Sequence, residues 1–229
     1  MRMNRFPRVV LRSFLDLLYP PRAVCIGCGE KSGCAADYLC AACLETLEEN
    51  RQGILMYPFH SLLSGRAHAH RYAGPAGKLV QALKYKGVRD LAPIMAADMV
   101  RVLREPPGGK PALQVDFDCV ASVPMHRFRR YLRGMNHAEL LAKAVAAELG
   151  LPWADVLTRV RYTRQQARLS GEARRRNLRK AFRAEKDVYG KSVLLVDDVY
   201  TTGSTAEECT AALLEAGATR VFLLTYAVA

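Results

Sequence analysis

Val193-Leu194-Leu195-Val196-Asp197-Asp198-Val199-Tyr200-Thr201-Thr202-Gly203-Ser204-Thr205 joins an apolar run to two carboxylates and then to a hydroxyl-rich turn. Ser192 to Val196 is apolar without alternation, the pattern of a strand covered on both faces in a parallel sheet. The turn opens a helix predicted over Ser204 to Ala216, and Arg220 to Val228 reads as a last strand. Each part has a chemical use. Thr201, Thr202, Ser204 and Thr205 offer hydroxyl and backbone N–H donors to a phosphate, while Gly203 permits a positive φ and close backbone approach. The positive end of the helix adds attraction. Two ionised carboxylates accept the paired hydroxyls of a ribose diol, so one strand end reads sugar and 5'-phosphate together. A plain capping role for the acids leaves the threonines unexplained. No glycine-rich loop ending in Gly-Lys-Ser/Thr lies upstream to complete a Walker-type magnesium pocket.

Working outward, Asp118 to Pro124 reads as a short buried strand ended by proline. Ala138 to Leu149 reads as a helix with Leu141, Ala144, Val145 and Leu149 inward, stopped at Gly150. From Gly74 the pattern is helical, and Leu91, Ile94, Met95, Met99, Val102 and Leu103 share one face until Pro106-Pro107-Gly108-Gly109 ends it. Strands alternating with helices imply a doubly wound α/β sheet, whose ligands sit at the carboxyl ends of the strands. Arg51 to Ser64 has no sustained periodicity and reads as a linker. It divides an N-terminal module, residues 1–50, from an α/β domain, residues 65–229.

The chain has 229 residues, 50% of them hydrophobic, enough for one full core and a small appended module. Lys plus Arg number 34 against 22 Asp plus Glu, a formal charge of +12. That excess favours polyanionic partners, phosphorylated metabolites or nucleic acid. Arg159 to Lys186 holds eleven basic residues against two acidic ones and reads as a mobile basic loop rather than core. Val9 to Leu18 is interrupted by Arg12 and Asp16, so it reads as an amphipathic helix, not as a signal core or a membrane span. Seven cysteines without an export signal place the chain in a reducing cytoplasm.

Cys25-Ile26-Gly27-Cys28 and Cys40-Ala41-Ala42-Cys43 form two Cys-x-x-Cys knuckles with eleven residues between them. This is the spacing of a small tetrahedral Zn2+ ribbon, and four thiolates close the shell, making the metal structural. Cys34 is a spare; Cys119 and Cys209 read as small buried hydrophobes. His68 and His70 share a face if that stretch is extended, but without a third ligand a polar sheet surface is the simpler expectation. Tyr72 and Tyr85 are expected to pack on their own domain rather than stack on bases.

The acid pair and its loop resemble the signature of type I phosphoribosyltransferases. Val123-Pro124-Met125-His126-Arg127, Arg133-Gly134-Met135-Asn136-His137-Ala138, Thr163-Arg164-Gln165-Gln166, Arg175 to Phe182, Lys84-Tyr85-Lys86-Gly87 and the cysteine knuckles extend the likeness to the ComF family of competence-associated phosphoribosyltransferase-like proteins. Met135 and His137 stand where that family usually has an aromatic residue and a glutamine. The resemblance implies a type I phosphoribosyltransferase fold with an N-terminal four-cysteine zinc ribbon. It implies binding of 5-phospho-α-D-ribose 1-diphosphate (PRPP) with Mg2+, Asp197 and Asp198 on the diol and Thr201 to Thr205 on the 5'-phosphate. Lys84 and Arg127 would serve the same substrate, with Arg129, Arg130 and Arg133 close by, and Arg159 to Lys186 would close over the site. Three roles follow from it: phosphoribosyl transfer in DNA uptake or nucleotide salvage, single-stranded DNA binding as an accessory of transformation alongside other DNA-uptake proteins, or sensing of PRPP. A homodimer is the assembly common among the proteins it resembles.

Overall fold

A computed structural model describes residues 24–30, 38–58, 61–125, 135–160 and 181–229. Val9 to Leu18, Cys34, Arg127, Arg129, Arg130, Arg133 and the interior of the Arg159 to Lys186 segment lie outside the described residues. Along the chain run α1 (Ala41–Glu49), β1 (Ile54–Met56), β2 (Gly65–Arg71), α2 (Gly74–Tyr85), α3 (Leu91–Arg104), β3 (Cys119–Ser122), α4 (His137–Leu149), β4 (Leu157–Arg159), β5 (Phe182–Ala184), β6 (Ser192–Tyr200), α5 (Ser204–Glu215) and β7 (Arg220–Val228).

Five strands form one sheet in the order β1-β2-β7-β6-β3. β1 is antiparallel to β2, and every other neighbouring pair is parallel. The two central strands explain why their sequences lack alternation. Val193, Leu195, Val221 and Leu223 are buried with α5 and the β4-β5 pair, while Leu194, Val196, Phe222 and Leu224 are buried with α2, α3 and α4. Each such side chain, removed from water on either face, contributes about 1.5–3 kcal/mol. The platform for the acid pair is therefore a strand buried on both faces.

Several elements differ from the sequence expectation. β6 continues past Val196 to Tyr200, pairing Asp197 with Thr225 and Tyr200 with Val228, so the acids lie within the last turns of pleat rather than after the strand. The supposed linker supplies β1, and Gly65–Arg71 supplies β2, both joined to the sheet. The helical stretch from Gly74 is two helices, interrupted where Gly87 takes φ +67. Ile94, Ala144 and Leu149 are half-buried, and Ala142 and Ala146 fill the inward face of α4 instead. Gly150 does end α4, in the left-handed conformation that glycine adopts without strain. The two ends of the basic segment are not surface loop: β4 and β5 pair antiparallel, and Ala181 and Phe182 are buried in the α5-side core.

Cys25, Leu39, Cys43 and Leu47 belong to the same hydrophobic cluster as Leu194, Phe222 and Leu224, so the cysteine segment packs on the α/β core. Among the described residues, no helix is long and apolar enough to cross a membrane.

Candidate functional site

The parallel strands carry the acid pair to the carboxyl edge of the sheet. Asp197 and Asp198 are successive strand residues, so their side chains start on opposite faces, yet they are tied together: Asp197 Oδ1 accepts the Asp198 backbone N–H at 2.8 Å. From the last turn of α2, Lys84 Nζ reaches Asp198 Oδ1 at 2.7 Å, with side chains only 21% and 13% exposed. The sequence reading placed Lys84 on the substrate; the structure adds its partner. Burial works against the Lys84 ammonium, but Asp198 more than offsets this and holds its pKa above the ordinary value.

Among the described residues, no cation is ion-paired with Asp197 in this way. Burial, then the charge of Asp198, pushes its carboxyl up to about 7, opposed by the Asp198 N–H and by Lys84. A carboxyl raised this far in the folded chain holds a proton that the unfolded chain has already lost above about pH 4. Its contribution to stability is thus present below that pH and is lost as pH rises through 7. Asp197→Asn should therefore be stabilised relative to the parent at pH 8 and not at pH 4, in urea unfolding at the two pH values. Comparison with the parent cancels His68, whose burial, helped by Arg66, holds its pKa down at about 4 and gives the opposite slope.

The loop after β6 turns from strand to helix at Gly203, which takes φ +80 at the N-cap of α5. Thr201 and Thr202 are exposed, Ser204 is buried, and the hydroxyls of Thr202 and Ser204 lie 3.2 Å apart. Thr205 is half-buried in the first turn. Glycine at the cap leaves the first-turn N–H donors without a side chain of its own to fill them, which suits an oxyanion. One wall of the loop is Tyr200. Its ring carries the Arg66 guanidinium at 4.3 Å and the His68 ring at 5.2 Å, and a Cβ on Gly203 would come within 2.5 Å of its hydroxyl. Arg66 carries no local signal that could have marked it, because Tyr200 lies far away in sequence.

The two histidines are not a polar sheet surface. His68 Nδ1 donates to Thr225 Oγ1 at 2.7 Å, since the Thr225 hydroxyl itself donates to the Ala227 carbonyl. His70 is buried between the Leu47 carbonyl and Asp98, each at 3.1 Å. The rings thus take separate neighbours. Tyr85 is 68% exposed rather than packed, and Tyr72 is 36% exposed. Met135 and His137 line one cavity with Lys84, Tyr85 and Lys86. Cys119 and Cys209 are buried as expected.

Cys25, Cys28, Cys40 and Cys43 bring their sulfurs within 4.8 Å of one another. Cys28 Sγ and Cys40 Sγ are 3.8 Å apart, about the edge of a tetrahedron whose centre lies ~2.3 Å from each sulfur. Cys25 Sγ also accepts the Cys40 backbone N–H at 3.3 Å, the usual way a knuckle is braced. The four residues fit a metal ion such as Zn2+.

Parallel sheet, acid pair and hydroxyl loop together define a phosphoribosyltransferase-type domain. Residues 135–227 match the phosphoribosyl transferase domain family. DNA utilization protein YhgH of Salmonella typhimurium is 38% identical over 154 residues, covering 66% of this chain and 66% of that protein. Competence protein F of Haemophilus influenzae is 36% identical over 104 residues, covering 44% of this chain and 45% of its own. The match thus spans just under two thirds of the first of these relatives. A solved structure of the allosteric regulatory enzyme of purine biosynthesis aligns with a TM-score of 0.39 at 26% identity, over 58% of this chain and 25% of that one. The chain belongs to the ComF family, with a type I phosphoribosyltransferase fold and a four-cysteine cluster at its N-terminal side.

Proposed function

We propose that the chain binds PRPP with Mg2+ and transfers its phosphoribosyl group in a process that uses DNA. The observation that carries this is the junction of Asp197 and Asp198 with the Gly203 loop at the carboxyl edge of a parallel sheet. Asp197 and Asp198 accept the 2'- and 3'-hydroxyls, and the Thr201 to Thr205 loop holds the 5'-phosphate through N–H and hydroxyl donors. Arg127 serves the diphosphate, and Mg2+ supplies charge neutralisation there. In the transfer, the bond from C1 of the ribose to the diphosphate oxygen breaks, the diphosphate leaves with the electron pair, and the acceptor's nucleophile forms the new bond to C1.

The cysteine cluster holds Zn2+ as a structural ion, and residues 1–50 form the module it organises against the domain of residues 65–229. The relatives' names, DNA utilization protein and Competence protein F, support a role in a process that uses DNA, and on this reading the chain works in the cytoplasm beside single-stranded DNA. Titration of PRPP with Mg2+ into the zinc-loaded protein tests the reading. Saturable binding is expected, and pyrophosphate release on addition of an acceptor separates a transferase from a sensor.

A further inference from the structure

We infer that the cavity between the end of α2 and the start of α4 is the subsite for the phosphoribosyl acceptor, and that it takes an acceptor bearing its own negative charge, an aromatic carboxylate. This rests on the reading of Asp197 and Asp198 as the ribose site. The cavity has a volume of about 450 Å³ and is lined by Lys84, Tyr85, Lys86, Gly87, Met135 and His137 among others. Lys84 belongs both to this lining and to the 2.7 Å pair with Asp198, so whatever fills the cavity lies beside the sugar. None of the described lining residues is acidic, and Lys84 and Lys86 both bring ammonium groups.

Charge decides what such a lining accepts. A neutral ring offers no charge to the Lys86 ammonium, nor to that of Lys84 beyond its pair with Asp198, whereas a carboxylate forms charge-assisted hydrogen bonds with them. The pair with Asp198 sharpens the effect. Diol hydroxyls arriving at Asp198 compete for the oxygen that Lys84 holds, and a lysine displaced from it keeps its charge and turns it to the cavity. Tyr85, 68% exposed at the rim, offers a flat face for an aromatic ring.

The test uses orotate, nicotinate and benzoate as anionic probes and uracil and adenine as neutral ones. Binding to the zinc-loaded full chain is followed by NMR saturation transfer and calorimetry, with and without PRPP and Mg2+. The carboxylates should bind at least about tenfold tighter than the neutral rings. Lys86→Gln, at an exposed position, should weaken them about tenfold at an unchanged melting temperature, and Lys86→Arg should restore them. Equal or tighter binding of the neutral rings, no binding of any carboxylate, or no effect of Lys86→Gln overturns the assignment. So does displacement of the carboxylates by inorganic pyrophosphate in the PRPP-free protein, which would give the cavity to the leaving group. Lys86-dependent carboxylate binding by a protein that fails to bind PRPP upholds the cavity and removes only the ribose reading.

Discussion

Replacing Cys43 by serine is expected to lower the melting temperature by about 10 °C or more, corresponding to a loss of roughly 4 kcal/mol for a structural metal ligand in a chain of this size. Cys43 stands in the first turn of α1 and is 8% exposed, inside the same cluster as Cys25, Leu39 and Leu47. The knuckle leaves no slack: a Cβ on Gly27 would approach Cys43 Sγ to 2.7 Å and the Leu39 side chain to 3.2 Å. The damage should spread, because α1 is tied into the domain. The Leu47 carbonyl binds His70, and the Asn50 carbonyl accepts the Arg71 N–H at 2.9 Å. Both partners lie on β2, whose end leads into α2 and so to Lys84. A strong chelator should reproduce the shift in thermal unfolding of the parent protein. A melting temperature indifferent to both chelator and substitution would mean that the four sulfurs hold no structural ion.

Gly203→Val should weaken phosphate binding about 100-fold and cost about 2 kcal/mol of stability. A non-glycine residue at φ +80 is strained by ~1–2 kcal/mol, more for a β-branched one. Its Cβ would also meet the Tyr200 ring, which Arg66 and His68 hold from other sides. Either the ring moves or the loop does, and a displaced loop no longer aims its N–H groups at one point. Binding of ribose 5-phosphate, with urea unfolding alongside, separates the two losses. An unchanged affinity in a folded variant would place the phosphate elsewhere.

How far the sequence could be read follows from where each element finds its partners. β6, β7 and α5 stand out because both-sided burial writes an apolar run and the loop writes its own chemistry in consecutive residues. The cysteine knuckles announce themselves by spacing. β2, by contrast, is Gly-Arg-Ala-His-Ala-His-Arg, which has almost no apolar signature; its two histidines find hydrogen-bond partners in Thr225, Asp98 and the Leu47 carbonyl, all distant in the chain. The same is true of the edge strand β1 and the β4-β5 pair, three residues to each strand, too short to show a period. At the site, Lys84 could be named from its motif, but its pairing with Asp198 joins the end of α2 to the end of β6. No local pattern carries such a contact. Arg66 over Tyr200 was invisible for the same reason.

Calorimetric titration of PRPP with Mg2+ into the parent chain and into Asp197→Asn/Asp198→Asn, both with verified zinc content, is the decisive comparison. The two acids are expected to supply the hydrogen bonds that hold the ribose, each lost charge-assisted bond weakening binding by ~1.5–3 kcal/mol. The parent should bind saturably and the folded double variant should show no heat of binding. Equal binding by both proteins, or none by a folded, zinc-loaded parent, would contradict the assignment of the acid pair to the ribose.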